Sequence, residues 1–180
     1  RLEKATVEQA PALVRQSLQD MIDVLEAEIT RLRRQLDDHI DAHPELKQQR
    51  TLLESIPGVG PKLSAWFLAL FGAKRFASAK QAAAFLGLVP VEYDSGTSVH
   101  RRPRLSKAGD GRWRARLYMP ALVAIRFNSP IRAQFTRLTG AGKSKMSAIG
   151  AAMRKLVQIA FGVFNTRRPF NVEQAQPSIT

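Results

Sequence analysis

The sequence has no cysteine, no long apolar run and few acidic residues in its second part. Without cysteine, the chain can form neither a disulfide framework nor a thiolate metal site, which fits a reducing cytoplasm. No apolar run approaches the roughly 20 residues that a membrane helix needs, and no signal peptide is visible, so no membrane partner is expected. Only five acidic residues follow residue 50, and they do not form the carboxylate cluster of a two-metal nuclease. His39 and His43 lack further ligands at zinc spacing, so the sequence predicts no metal site.

The charge is strongly positive and unevenly distributed. The 180 residues have a net charge of +13, yet residues 1–50 contain 8 Lys and Arg against 10 Asp and Glu. Residues 51–180 contain 20 Lys and Arg against 5 Asp and Glu. The first part therefore reads as a balanced structural segment, whereas the second favours a polyanionic partner such as nucleic acid. The chain begins at Arg1 and enters helical sequence directly, which we interpret as a fragment of a longer protein.

The first part predicts a coiled-coil arm. Large aliphatic residues recur at alternating spacings of four and three, which is an a/d heptad seam: Leu18, Ile22, Leu25, Ile29, Leu32 and Leu36. A partner chain is favoured over a neighbouring helix as the cover of this seam, because the rest of the arm is polar. The oligomer can have two or four strands. Asp41 to Pro44 interrupts the helix, and Pro44 begins the next one.

Leu52–Gly72, "LLESIPGVGPKLSAWFLALFG", predicts two helices joined by a tight turn. This pattern resembles a helix-hairpin-helix element, in which glycines such as Gly58 and Gly60 let backbone N–H groups approach a phosphate. Lys62 follows at the start of the second helix and is a candidate nucleic-acid contact. A plain helical hairpin with a glycine turn explains the same pattern, and both interpretations stay open.

The remaining segments predict a mainly α fold. Further helices are expected over residues 78–87, 113–127, from Pro130, and over 147–163, with a flexible basic link at 140–143. Residues 91–106 predict a loop, with at most a short hairpin near 97–104. The expected domains are a dimerising coiled-coil arm (1–44), a compact helical domain with a helix-hairpin-helix-like element and a basic loop (45–170), and a tail (171–180).

One stretch carries the candidate chemistry, Tyr93–Leu117, "YDSGTSVHRRPRLSKAGDGRWRARL". Its seven cations are candidate nucleic-acid contacts: Arg101, Arg102, Arg104, Lys107, Arg112, Arg114 and Arg116. Ser95 precedes them in an Asp-Ser-Gly sequence that predicts an exposed turn. A serine that attacks a phosphodiester needs exposure and nearby cations to neutralise the transferring phosphoryl group. Asp and Ser are also common turn residues for local hydrogen-bonding reasons, so spacing alone does not decide between the two roles.

Four blocks together resemble one family. The stretches "LLESIPGVGPKLSAWFLALFG", "FASAKQAAAFLGLVPVEYDSG", "RLSKAGDGRWRARLYMPALVA" and "AAMRKLVQIAFGVF" look like the C-terminal transposase domain of the insertion-sequence one-ten family. These are the Piv/MooV-type DEDD transposases, which are bridge-RNA-guided recombinases. The resemblance runs from about Leu18 to Phe170 and implies a two-part protein. In it, an N-terminal RuvC-like domain supplies four acids and Mg²⁺, and the C-terminal domain supplies a catalytic serine.

The resemblance places the nucleophile at Ser95, within Tyr93-Asp94-Ser95-Gly96. The basic block that follows falls on Arg104, Ser106, Lys107 and Gly109, and Arg114 and Arg116 occupy the arginine-rich start of a helix. The implied reaction cuts DNA with a phosphoserine link and rejoins the strands in exchanged partnership. The implied partners are DNA, a structured guide RNA and further copies of the chain, in the bacterial cytoplasm at the nucleoid. The magnesium-binding half is missing here, so the fragment alone is expected to be inactive. The alternative is a non-catalytic nucleic-acid-binding and oligomerisation module.

Overall fold

The computed structural model describes residues 11–95, 99–105, 109 and 111–172, with backbone only for 91–95 and 99–104. The chain divides into two compact units, Arg1–Lys47 and Gln48–Thr180. Seven helices and two strands follow one another in the described residues: α1 (Ala12–Ala42), α2 (Pro44–Glu54), α3 (Pro61–Ala73), α4 (Ala79–Phe85), β1 (Pro90–Ser95), β2 (Val99–Leu105), α5 (Gly111–Phe127), α6 (Ser129–Gly140) and α7 (Lys145–Thr166). The expectation of a mainly α fold is confirmed.

The first unit consists mostly of the single long helix α1. Its 31 residues span roughly 46 Å at 1.5 Å per residue. Pairs at helical spacing support it on its polar side, including Gln16 Nε2 to Asp20 Oδ1 at 2.8 Å and Arg31 Nε to Glu28 Oε2 at 2.8 Å. The Arg31 guanidinium lowers the pKa of the Glu28 carboxyl from its usual value. All six seam residues are exposed, from 40% for Leu18 to 55% for Leu25.

Helix α7 forms the centre of the second unit. It packs against α4, α5 and α6, and more lightly against α3 and β2. Eleven of its 22 residues are buried, among them Leu156 and Val157. Phenylalanines from α3 and α7 extend this core, because the Phe71 ring lies 5.5 Å from the Phe161 ring and 5.3 Å from the Phe164 ring. Alanines on α5 and α7 allow the close approach of these helices.

Helix α7 also passes the length and composition test for a membrane span, and it is the one described helix that does so. Most of its apolar window is buried inside the protein. A core helix that packs against neighbours on several sides gives the same pattern. Its burial among α4, α5 and α6 explains its apolar composition.

Side-chain caps fix the start of several helices. Ser78 accepts a hydrogen bond from the Gln81 N–H at the start of α4, and Asn128 accepts one from the Ile131 N–H at the start of α6. Ser144 does the same for α7 through the Ser147 N–H. Each such cap stabilises a helix by about 1 kcal/mol.

The predicted flexible link at residues 140–143 is wrong. The segment closes α6 with the paired hydrogen bonds of a Schellman motif, from the Gly142 N–H to the Thr139 carbonyl and from the Lys143 N–H to the Leu138 carbonyl, both at 3.0 Å. Gly142 has a φ of +76°, which a residue with a side chain rarely adopts. The glycine that suggested flexibility is therefore part of an ordered helix end, and it fixes the position of Lys143.

The predicted loop at 91–106 is a two-stranded antiparallel ribbon. The register pairs Pro90 with Leu105 and Ser95 with Val99. The pairing is irregular between Val91 and Tyr93, opposite the part of β2 that contains Pro103. Proline has no N–H to donate to a ladder, and such residues are tolerated at bulges and edges. The sequence predicted at most a short hairpin near 97–104, because the strands are short and one is crowded with arginines, which hides the alternation typical of a strand.

Candidate nucleic-acid interface

Ser95 lies at the end of β1, directly before the connection between the two strands. Asp94 and Ser95 belong to the strand, so the expectation that they form the turn itself is wrong. Gly96, the third member of the predicted turn, lies outside the described residues. Because β1 ends at Ser95, this residue nevertheless lies next to the tip of the ribbon. This position is compatible with access to an extended nucleic-acid strand.

The ribbon brings part of the cation cluster close to Ser95. Arg101 is the partner of Tyr93 and His100 is the partner of Asp94. Arg101 is therefore the diagonal neighbour of Ser95, about 7–8 Å away across the strands. Arg104 pairs with Val91, four residues before Ser95, which corresponds to roughly 13 Å along the strand. Arg102 lies in the irregular part of β2, and Lys107 and Ser106 lie outside the described residues.

The chain after the ribbon turns back against α4 at Gly109. This residue has a φ of +101°, and a Cβ atom there would lie 2.9 Å from the Phe85 carbonyl oxygen and 3.0 Å from the Gly87 nitrogen. Both the backbone conformation and the space require glycine. The Arg114 Nη1 donates to the Gly109 carbonyl at 3.4 Å, so Arg114 lies over this turn. The resemblance marked Gly109 only as part of a basic block, whereas the structure gives it a packing role.

Arg116 stacks on an aromatic pair that joins α3 to α5. Its guanidinium carbon lies 3.0 Å from the centre of the Trp66 ring, and the Trp66 and Trp113 rings meet edge to face with centres 5.0 Å apart. A planar guanidinium on a tryptophan face is held in one orientation and loses little freedom on binding a phosphate. Trp66 was not among the residues predicted from the sequence to contact nucleic acid. The signal that could have found this cluster is the Trp-Arg-Ala-Arg sequence at 113–116, at the start of α5.

The two glycines of the turn at residues 57–60 have different roles. Gly58 has a φ of +104°, and a Cβ atom there would lie 2.8 Å from the Pro120 carbonyl oxygen and 2.9 Å from the Ala124 Cβ. Its absence of a side chain thus lets the turn pack against α5. Gly60 has open space around its Cα and precedes α3 as the N-cap. Lys62 is exposed in the first turn of α3, so Gly60 and Lys62 remain accessible to a ligand.

In the described part of the second unit, few acidic side chains neutralise the positive charge of the lysines and arginines. Glu54 is the acid after residue 50 whose side chain the structure describes, and it is engaged by Arg50 Nε at 3.0 Å and by Ser64 Oγ at 2.8 Å. Within the described residues there is no group of three or more His, Cys, Asp or Glu side chains that can hold a metal ion. His39 and His43 lie ring to ring at 4.3 Å, and His43 Nδ1 lies 2.7 Å from the His39 carbonyl oxygen.

Part of this basic helical unit is similar in sequence to a transposase family. Residues 50–137 match the Transposase IS116/IS110/IS902 family. The match covers α3, α4, the ribbon with Ser95, α5 and most of α6. The resemblance to the insertion-sequence one-ten family, drawn from four sequence blocks, is confirmed at this level. The guide RNA and the four-acid domain stay predictions.

Individual relatives agree with the family match. The chain is 36% identical over 145 residues to the pilin gene-inverting protein of Moraxella lacunata, covering 79% of this chain and 45% of that protein. It is 27% identical to the insertion element IS110 uncharacterized 43.6 kDa protein of Streptomyces coelicolor, covering 79% and 37%. It is 31% identical to the insertion element IS116 uncharacterized 44.8 kDa protein of Streptomyces clavuligerus, covering 66% and 30%. The chain therefore spans less than half the length of these relatives.

Proposed function

We propose that this chain is the serine-bearing part of a DNA transposase or recombinase. The observation that carries the proposal is the position of Ser95 at the end of β1, paired to a strand that contains Arg101, Arg102 and Arg104. This ribbon lies within the segment that matches the transposase family. The pilin gene-inverting relative suggests an exchange of DNA segments as the overall reaction, in the bacterial cytoplasm and at the nucleoid.

In the proposed reaction, the Ser95 hydroxyl oxygen attacks a DNA phosphorus. An O–P bond forms to serine as one phosphodiester O–P bond breaks. The departing deoxyribose oxygen leaves with its electron pair and takes up a proton, and the serine proton passes to a base or to water. A free hydroxyl of a different strand then attacks the phosphoserine, restoring the serine and joining new partners. Arginines near the ribbon would neutralise the charge on the phosphoryl group as it transfers.

The resemblance also implies Mg²⁺ on an acidic domain. The described part of this chain has no cluster of three or more potential metal ligands, so these residues do not fit that ion, and we assign no step of this chain to it. The proposal instead places the ion on a RuvC-like domain of the intact protein. A structured guide RNA is a further proposed partner, which the basic surface of the second unit would accommodate.

The test of the proposed function uses the intact protein with its RNA and Mg²⁺. Ser95→Ala is expected to abolish strand cleavage and the covalent protein–DNA species, because the nucleophile is gone. DNA binding is expected to stay close to that of the native protein, since one neutral hydroxyl contributes little beside seven cations. A denaturing gel with labelled donor DNA resolves the cleaved strand and the covalent protein–DNA species. Ser98→Ala and Ser106→Ala are the matched serine controls and are expected to retain the covalent band.

Cation variants complete this experiment. Arg104→Ala and Lys107→Ala are expected to weaken both binding and cleavage, because each removes a charge that contacts ground state and transition state alike. A covalent band that survives in Ser95→Ala and disappears in Ser98→Ala or Ser106→Ala would show that the nucleophile is that other serine and not Ser95. If no variant and no native protein forms a covalent species, the chain is the non-catalytic nucleic-acid-binding and oligomerisation module.

A further inference from the structure

A second basic site lies at the base of the ribbon, away from its tip. A groove of about 940 Å³ opens between the end of α6, the first three turns of α7 and the residues where the ribbon begins and ends. Pro90 and Leu105, which pair with each other at the base of the ribbon, both line it. This volume falls within the range of sites that bind small molecules and cofactors. Arg112, Arg114 and Arg116, whose side chains the structure describes, do not line the groove.

Small residues on α7 keep the groove open. Ser147, Gly150, Ala151 and Arg154 line it and recur at spacings of three, one and three, so they share one face of the helix. A Cβ atom on Gly150 would lie 2.8 Å from Leu105 Cδ1, which shows that the end of β2 rests directly on this face. The groove is therefore built jointly by the ribbon and the helix, and its floor is apolar.

The described residues that line the groove carry only positive charge. Three of them are cations, Lys143, Arg154 and Lys155, and none is acidic. Neither Lys143 nor Arg154 forms an ion pair with an acid of the described residues. Lys155 is half-buried, and this burial lowers the pKa of its ammonium group.

Polar groups suited to a base edge accompany the cations. Gln134 Oε1 is buried and has no hydrogen-bond partner within the described residues, and Gln134 lines the groove together with Gln158. An unpartnered buried acceptor is costly unless a ligand or water satisfies it. Carboxamides have both donors and acceptors and match the edge of a nucleobase. Leu105 and Leu138, which are both partly exposed, supply apolar surface for the flat face of a base.

We propose that this groove binds an unpaired nucleotide of a nucleic-acid strand, with phosphates at Lys143 and Arg154 and the base against Leu105, Leu138 and Gln134. The inference rests on the proposed function, because it gives the strand a second point of attachment. Ser95 is five residues along β1 from Pro90, roughly 17 Å at strand spacing. A stacked strand presents one phosphate about every 3.4 Å, so groove and serine lie about five nucleotides apart.

Binding to the full 180-residue chain tests the groove with matched pairs of cations. Lys143→Ala and Arg154→Ala are compared with Lys145→Ala and Arg137→Ala, which remove neighbouring exposed cations that do not line the groove. Fluorescence anisotropy with a labelled single-stranded oligothymidylate measures affinity. Each groove variant is expected to weaken binding about fivefold at 0.1 M salt, because one phosphate contact on a single strand adds about 0.7 to the salt slope. The controls are expected to change affinity less than twofold.

A space-filling variant supplies a readout that does not depend on charge. Ala151→Trp is expected to fill the groove and to abolish photo-crosslinks from 5-iodouracil oligonucleotides to groove residues. Ala133→Trp, on the exposed side of α6, is the control and is expected to retain them. Circular dichroism melting shows whether each variant is folded. If Ala151→Trp is unfolded, the comparison of Lys143→Ala with Lys145→Ala in the binding assay alone tests the groove.

Three probes distinguish the sources of the nucleotide. Single-stranded DNA, single-stranded RNA of matched sequence and duplex DNA are compared, and a groove for unpaired nucleotides is expected to prefer either single strand to the duplex. Equal losses for groove and control cations, or crosslinks confined to residues outside the groove, would overturn the inference. The proposed serine chemistry is judged separately, by the covalent band of the intact protein. If the groove variants lose binding while the Ser95→Ala protein still forms the covalent band, the groove is supported and Ser95 is not the nucleophile.

Discussion

Gly58 and Gly60 belong to the same turn, and their environments predict opposite responses to substitution. Gly58→Ala would place a methyl group 2.8 Å from the Pro120 carbonyl at a φ of +104°. We expect it to destabilise the chain by more than about 2 kcal/mol, because strain and a backbone clash add. Gly60→Ala meets open space and should cost less than about 1 kcal/mol. Thermal unfolding of both variants checks this, and equal losses would contradict the packing role of Gly58.

Lys155 predicts a pH dependence of stability. Burial lowers the pKa of its ammonium group in the folded chain, whereas the unfolded chain titrates near about 10.4. Between the two values the unfolded state binds more protons, so stability rises as pH increases through this window. Thermal melts at several pH values approaching 10.4, with Lys155→Met as the comparison, measure the effect. The rise should be smaller in Lys155→Met, and an identical rise in both proteins would assign it to other groups.

Residue identities predicted the candidate serine but could not predict the roles of the glycines. A short turn sequence such as Pro57–Gly60 is compatible with phosphate contact and with helix packing. The choice depends on Pro120 and Ala124, which are more than 60 residues away in the chain. The same holds for Gly109, whose neighbours Phe85 and Gly87 come from a different helix end. Long-range packing of this kind has no local sequence signature.

At the scale of elements, the helices were predictable and the ribbon was not. Pro44 marks a helix start that the structure confirms, and Pro130 lies in the first turn of the helix predicted from it. Strand β2 contains three arginines and a proline in seven residues, so its sequence resembles a basic loop. Backbone pairing to β1 overrides this low strand propensity. The basic groove was missed as well, because Lys143 and Arg154 meet only once α6 and α7 are folded.

The exposed seam of α1 predicts association between copies of the chain. Its aliphatic residues are 40–55% exposed, which leaves an apolar stripe that a partner helix can cover. Leu25→Asp combined with Leu32→Asp should dissociate the oligomer, because each buried unpaired charge costs several kcal/mol. Sedimentation of the variant and the native chain measures the mass. Asp23→Ala, on a polar position of the same helix, is the control. An unchanged mass for the double variant would mean that the seam does not join copies.

The whole molecule separates charge by unit, and this separation predicts how it binds nucleic acid. Residues 1–50 carry more acids than bases, whereas residues 51–180 carry 20 bases and 5 acids. The first unit presents an apolar seam and the second presents the ribbon, the Trp66–Arg116 stack and the groove. We therefore predict that association and nucleic-acid binding belong to different parts of the chain, so that each can be removed without the other. The Leu25→Asp, Leu32→Asp variant offers that separation directly.

Affinity for DNA or RNA should therefore fall steeply with salt, and the slope should belong to the second unit. Neutralising six phosphates predicts a loss on the order of 10³-fold between 50 mM and 200 mM salt. Anisotropy titrations over this range give the slope of log affinity against log salt. The Leu25→Asp, Leu32→Asp variant loses any gain in affinity that comes from two linked copies, but it keeps the cations of the second unit. Its slope of log affinity against log salt, counted per chain, should therefore persist. A flat response in the native chain would contradict a polyanion partner, whereas a slope that vanishes with the seam would place the phosphate contacts across an assembled oligomer.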